Sequence, residues 1–431
     1  MNNLLIYLII YILLVIGISY FVSRKQKQED FLIAGRNRGA WHIMFSKFAT
    51  AIGAGYFVTY TGFAYEYGLG VFAMVLGIII GYLFFAYWAA PIIHSFSKEN
   101  KFYKIGDFVN FKIHNKLSIN LSNWIANMIL FAWLLVGVVG GAKIINDFGI
   151  LSYEVAVLVI VFVILAYVLL AGFKAVILTD VIQSFIILIL LFLITFSLIG
   201  SASLNSLFSV DIEGIDIGTA ISFFFFGVLS IFSYSSMYQL CYAGKTKRKI
   251  KHGIGLAVIP VALISFLLLL IGLFMALNSP GLDSGLVFTE ALKNFLPASL
   301  LPFAIVLFFA GIMSSADTNI YAISSHYSIG KKGDVIKNIR ISTTFLILIT
   351  FIVALLFRDI VDVSILAGGL SLILSLPMIY LIAGGRSIKK FIASTIMGLL
   401  AMIIAIIVLG IEPIAAIPVV IFSAVGLLWK H

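Results

Sequence analysis

Apolar runs of about twenty residues recur from one end of this 431-residue chain to the other. Each is long enough to cross ~30 Å of hydrocarbon as a helix. Lipid offers no hydrogen-bond partner to a backbone amide, so such segments must satisfy their amides internally. The chain is 62% hydrophobic and 11% charged, less than half the charged fraction usual in soluble domains. The fold class expected is therefore an all-α polytopic membrane protein. Thirteen spans are predicted, over 4–22, 41–63, 70–93, 119–141, 151–171, 175–199, 217–241, 254–277, 299–325, 340–357, 360–382, 391–409 and 412–429. The first reads as a span rather than a cleaved signal. It lacks a basic leading region and a small-residue cleavage site, and "SRKQKQ" follows it directly.

Lysine and arginine set the orientation. With the N-terminus outside and the spans alternating, the cytoplasmic segments collect Arg24, Lys25, Lys27, Arg36, Arg38, the five lysines from Lys98 to Lys116, Lys174, the cluster Lys245 to Lys251, Lys331 to Arg340, Arg386, Lys389, Lys390 and Lys430. That is 24 of the 28 basic residues; Lys143, Lys293 and Arg358 fall outside and Lys47 within a span. This bias supports an odd number of spans with a cytoplasmic C-terminus, because one missed helix would scramble it. The net charge of +10 then reports orientation and contact with anionic headgroups, not nucleic acid. The compact loops point to the inner membrane of a bacterium or archaeon.

Several chemistries are set aside. Cys241 is the only cysteine, so neither a disulfide nor a cysteine-based metal site is expected. The six histidines form no H-x-x-x-H pair, and no phosphate-binding Gly-rich loop followed by Lys-Ser/Thr is present. The connecting segments leave no room for a soluble catalytic domain. No organic cofactor and no enzymatic activity are expected.

Ionisable residues inside a span cost ~2.5–3.5 kcal/mol each to insert, which makes Lys47, Asp180 and Asp317 functional candidates. Asp180 lies in "TDVIQS" beside Thr179, Gln183 and Ser184. Oxygen-rich surroundings suit a hard cation; a helix cap or an interfacial charge near Lys174 is the competing reading. Asp317 lies in "AGIMSSADTNIYAISS", where Gly311, Ser314, Ser315, Thr318, Ala322 and Ser325 share one helical face. Small residues of this kind also pack membrane helices together, but packing alone accounts for neither Asp317 nor the adjacent serines. A third segment, "FSKFATAIGAGYFVTYTGFAYEYGLG" (45–70), carries Gly53, Gly55 and Gly62 inside a span. Glycines there permit a break that frees backbone carbonyls for cations, or simply a close-packed surface.

Taken in register, these stretches resemble the sodium:solute symporter family, one of the inverted-repeat (LeuT-like) transporters. The resemblance rests on "DFLIAGRNRG" (30–39), "YEYGLG" (65–70), "GFKAVILTDVIQ" (172–183), "AGKTKRKIKHG" (243–253) and "AGIMSSADT" (310–318), and runs to about residue 385. It implies two inverted five-helix repeats over 41–199 and 217–382, an extra helix at 4–22 and two more over 391–429. It implies a sodium site made by the carbonyls of Ala49, Ile52 and Gly311 and the hydroxyls of Ser314 and Ser315. A second cation or proton site maps to Asp180, Ser314, Asp317 and Thr318. Family members with that site often carry serine where this chain has Asp317.

The same resemblance places a small organic solute at the midplane, near Tyr56 and a matching break in the seventh span. Phe225, Phe226, Gly227 and Ser230 are the candidates there. Lys47 has two readings: its ammonium snorkels to the cytoplasmic surface, or it lies by the sodium site and replaces the cation. The function implied is Na+-coupled symport by alternating access. Proton coupling on the same fold, or a transporter-like solute sensor, are the alternatives. Gly137 and Gly141 make a G-x-x-x-G pair that fits either a dimer or internal packing.

Overall fold

A computed structural model of the protein describes residues 2–23, 32–170, 173–201, 216–329 and 334–429. Arg24, Lys25, Lys27, Lys331, Lys332 and Lys430 lie outside the described residues.

The described chain is helical. In order come α1 (Asn2–Ser23), α2 (Ala40–Ala51), α3 (Ala54–Tyr67), α4 (Ala73–Phe84), α5 (Ala90–Asn100), α6 (Ile105–Ile113), α7 (Lys116–Asp147), α8 (Tyr153–Leu170) and α9 (Phe173–Ser201). Then follow α10 (Ile217–Leu229), α11 (Ser235–Ala243), α12 (Lys247–Asn278), α13 (Val287–Phe295), α14 (Leu301–Ser328), α15 (Val335–Leu356), α16 (Ile360–Ile382), α17 (Ile388–Leu409) and α18 (Ala416–Leu428). Among the described residues, seven helical stretches are long and apolar enough to cross a membrane. The number becomes eight when α10 and α11, bent by 41°, are taken as one span.

Polar residues open these helices as the sequence pattern demands. Asn115, Asp216, Thr246, Asp334, Asp359 and Ser387 each accept a bond from a backbone amide in the first turn that follows. Each thereby satisfies a donor the helix itself cannot reach. The middle of the bundle is formed by α14, buried along most of its length, with α7 and α9 against it. Peripheral helices are apolar outward instead. Phe345 on α15 is 67% exposed and Ile407 on α17 is 77% exposed, an exterior suited to hydrocarbon and not to water.

Two helices are broken, and the breaks decide where a site can form. Between α2 and α3, Ile52 (φ −99°, ψ 73°) and Gly53 (φ −86°, ψ 170°) leave helical geometry. Between α10 and α11 the chain passes through a short 3-10 turn, Ser230–Phe232, before α11 starts. The ends of the two broken pairs are tied together. The Arg38 amide donates to the Ala243 carbonyl (3.0 Å), and the Lys245 amide donates to the Arg38 carbonyl (2.9 Å).

Candidate functional site

The break after α2 faces α14. The Ser315 hydroxyl donates to the Thr50 carbonyl at 3.2 Å. The Thr50 and Thr318 hydroxyls lie 3.3 Å apart. Gly53 sits so tightly against Ser315 that a Cβ there would overlap the serine hydroxyl, and that Cβ would lie 3.5 Å from the Gly311 carbonyl. Only glycine allows this approach. The last carbonyls of a helix have no donor one turn ahead, so the α2 end presents backbone oxygens toward Gly311 and Ser315. The structure thus brings the segment holding Ala49 and Ile52 against the segment holding Gly311, Ser314 and Ser315.

Asp180 lies beside this contact, fully buried, which removes its reading as an interfacial charge. Its two oxygens accept from the Ser46 hydroxyl (2.6 Å) and the Ser314 hydroxyl (3.0 Å). One carboxylate therefore links α9, α2 and α14. Ser184, a turn further along α9, donates to the carbonyls of Phe45 (2.8 Å) and Asp180 (2.6 Å). Gln183 donates to the Tyr11 hydroxyl on α1 (3.0 Å). Asp317 is buried, with the Thr318 hydroxyl 3.4 Å from one of its oxygens. Ser46 was not singled out from the sequence. Its spacing of four from Thr50 puts the two on one helical face, the signal that could have found it.

A cavity of about 130 Å³ opens beside the break. Gly53, Thr50 and Ser315 form one part of its lining, so it adjoins the oxygen cluster. Tyr56, Phe226, Gly227 and Ser230 all line it, whereas Phe225 does not. The Tyr56 ring stacks on Tyr60 at 3.7 Å between centroids, and its hydroxyl lies 2.5 Å from that of Ser265. Gly227 is also a close-approach residue, since a Cβ there would strike the backbone of Met74, Gly77 and Ile78 on α4. Tyr82, Trp133, Tyr234, Ser236 and Asn319 complete much of the polar and aromatic wall. They come from four distant segments, and no spacing in the sequence connects them.

Lys47 does not snorkel. It is 3% exposed and lines the cavity. Its Nζ stands 5.2 Å from the Tyr82 ring centroid and 5.6 Å from that of Tyr234. Ring faces attract a cation within about 6 Å, and these two hold the ammonium inside the bundle. Gly141 packs against Ile312 and Ile160 of the same chain, so that half of the G-x-x-x-G pair serves internal packing. Gly137 lines the cavity.

The sodium:solute symporter family model matches residues 31–340, a stretch that holds both breaks, the oxygen cluster and the cavity. The chain belongs to the sodium:solute symporter family. Family membership makes it a multi-pass membrane protein of a transporter family, not an enzyme. A sodium/pantothenate symporter of Haemophilus influenzae is 28% identical over 214 residues, which is 47% of this chain and 44% of that protein. A sodium/glucose cotransporter of Vibrio parahaemolyticus is 30% identical over 199 residues, 43% of this chain and 35% of that protein. The chain thus spans less than half the length of these curated relatives. A solved Na+-coupled sialic acid symporter, in a substrate-bound outward-open state, superposes with TM-score 0.79 at 16% identity. That match covers 99% of this chain and 98% of that one, and it establishes the fold.

Proposed function

We propose that this family member carries a small organic solute across the membrane, coupled to Na+, by alternating access. The observation that carries the reading is the convergence of the Gly53 break with Gly311 and Ser315. The carbonyls of Ala49, Ile52 and Gly311 and the hydroxyls of Ser314 and Ser315 are the ion ligands. Both hydroxyls donate to protein oxygens, to Asp180 and to the Thr50 carbonyl. A hydroxyl that donates still has lone pairs to offer a cation. Five neutral oxygens bind Na+ weakly enough to release it. One charge moving through about 100 mV supplies ~2.3 kcal/mol for accumulation.

The thirteen-span arrangement and the repeats 41–199 and 217–382 belong to the same proposal. In each repeat the first helix is the broken one, α2/α3 and α10/α11, as inverted repeats require. The orientation, with the N-terminus outside, is supported by how the charges group. Arg36 donates to the Phe102 carbonyl (2.8 Å), and Lys104 donates to the Ile329 carbonyl (3.2 Å), on the face assigned to the cytoplasm. The three basic residues assigned outside pair with acids instead, Lys143 with Asp283, Lys293 with Asp147 and Glu290, and Arg358 with Glu154. The relatives' solutes, pantothenate and glucose among them, are the first candidates for uptake assays.

Buried Asp317, one residue before Thr318 and adjacent to the oxygen cluster, favours a second reading in which a proton or a second cation binds at Asp180, Asp317 and Thr318. Thermal unfolding of purified protein in Na+, K+, choline and a pH series separates the two. A ligand confined to the folded state stabilises it by RT ln(1 + [L]/Kd). Stabilisation by Na+ alone, lost in Ser315→Ala, is the expected result. A pH response abolished by Asp317→Asn, without a Na+ response, would move the coupling to protons.

A further inference from the structure

Among the described residues, the cavity is lined by one charged side chain without a partner. Lys47 is the only lysine, arginine, aspartate or glutamate among the described residues that line it. The ammonium is nine-tenths buried or more, makes contact with the Tyr82 and Tyr234 ring faces, and has no hydrogen bond and no carboxylate within ion-pair reach among the described residues. Asn319, 5% exposed, lines the same cavity and likewise makes no protein hydrogen bond among the described residues. A buried charge is ordinarily paired, and ring faces replace its lost water only in part. The rest of the wall sets the hydroxyls of Thr50, Ser230, Ser236 and Ser364 among the ring faces of Tyr56, Tyr60, Phe63 and Phe226.

We infer that the solute is an organic monocarboxylate whose carboxylate pairs with the Lys47 ammonium. This deepens the transport reading and rests on it. One ammonium matches one negative charge, so a dianion would carry an unpaired charge into the bundle. An N–H donor such as the Asn319 amide suits a carboxylate oxygen, which only accepts. The ring walls suit a compact apolar or aromatic body. Bound solute then completes the electrostatics of the cavity, and its departure leaves Lys47 uncompensated again. Ion occupancy at Ser315 and anion occupancy at Lys47 adjoin one another across Gly53 and Thr50, so each would favour the other by direct attraction.

The test uses the full chain purified in sodium methanesulfonate. Propionate, benzoate and nicotinate are each titrated beside the corresponding primary amide, with unfolding temperature as readout. The wild type, Lys47→Met and Lys47→Arg are compared, and Na+ is titrated separately without solute. The expected result is that at least one acid binds about tenfold or more tightly than its amide. Lys47→Met erases that preference and keeps its Na+ response, while Lys47→Arg retains a preference for the acid. Acids that shift unfolding no more than their amides overturn the proposal, as does a preference that survives in Lys47→Met. Chloride that stabilises through Lys47 where every carboxylate fails also overturns it, making the site one for an inorganic anion. A missing Na+ response in the wild type would count against the transport reading instead, and it is read in the solute-free titration.

Discussion

Two buried ionisable side chains of opposite type adjoin α2 ahead of the Gly53 break, and the protein treats them differently. Asp180 receives an O–H bond on each oxygen, from Ser46 and Ser314. Among the described residues, Lys47 has only the faces of Tyr82 and Tyr234. Bonds to an ionised group each stabilise by roughly 1.5–3 kcal/mol, so Asp180 is largely compensated by its own bundle. Ring faces contribute roughly 0.5–2 kcal/mol each, against a desolvation penalty of several kcal/mol for an ion taken out of water. Asp180 is a structural joint that also neighbours the proposed ion ligands. Lys47 is half of a pair, held at a cost to stability.

That contrast is broken most severely at Asp180. Asp180→Ala removes both charge-assisted bonds and is expected to lower stability by about 3 kcal/mol, with Asp180→Asn in between. Thermal or denaturant unfolding in detergent measures it. A neutral result would mean that the carboxylate, like Lys47, awaits a ligand. Gly53→Ala comes next. The new methyl would overlap the Ser315 hydroxyl, and overpacking of this kind costs about 1–3 kcal/mol. Because the displaced group is a proposed ion ligand, the Na+-dependent shift should also shrink. An unaltered Na+ response would place the ion away from Ser315.

The oxygen cluster and the cavity also differ in how much of them the sequence discloses. Ser314, Ser315 and Asp317 stand out because polar residues in an apolar run are costly and few, and helical periodicity puts the serines on a defined face. The break itself is legible in "AIGAGY", since glycines mark where a span can open. Ser46 is less visible, because a lone serine in a helix most often bonds back to its own carbonyls. The cavity was barely legible. Tyr82, Trp133, Tyr234 and Asn319 lie on four segments, and only the packing angles of α4, α7, α11 and α14 decide that they face one space. The snorkelling expectation for Lys47 failed for the same reason. A flexible stem near a helix end reaches water unless neighbouring helices close over it, and that closure is tertiary. Each predicted segment falls on a helix or a helix pair, and among the described residues seven or eight helical stretches are long and apolar enough to cross a membrane.

Lys47→Met sharpens the contrast with the opposite sign. It removes an uncompensated charge and leaves a side chain of similar volume, so the ligand-free protein should gain about 1–2 kcal/mol. A loss of that size would put Lys47 beside Asp180 as a satisfied structural element, and would require a partner for it.

The smallest expected effect concerns the rings that hold the ammonium. Tyr82→Phe keeps the ring face and should leave stability within about 0.5 kcal/mol of the wild type. Tyr82→Leu removes one of the two faces, but it also changes packing at a buried position, so the single variant mixes two causes. A double-mutant cycle with Lys47→Met separates them, because the packing loss is common to both backgrounds. The coupling expected is about 0.5–1 kcal/mol, the share of one ring face in a site walled by two. A coupling near zero would mean that Tyr82 does not carry the charge, leaving Tyr234 as the principal face. Coupling that disappears once a carboxylate is bound would show the anion taking over from the rings, because an ammonium paired to a carboxylate draws less on a quadrupole. The cycle therefore measures, at a single side chain, how far Lys47 depends on its walls when no solute is there.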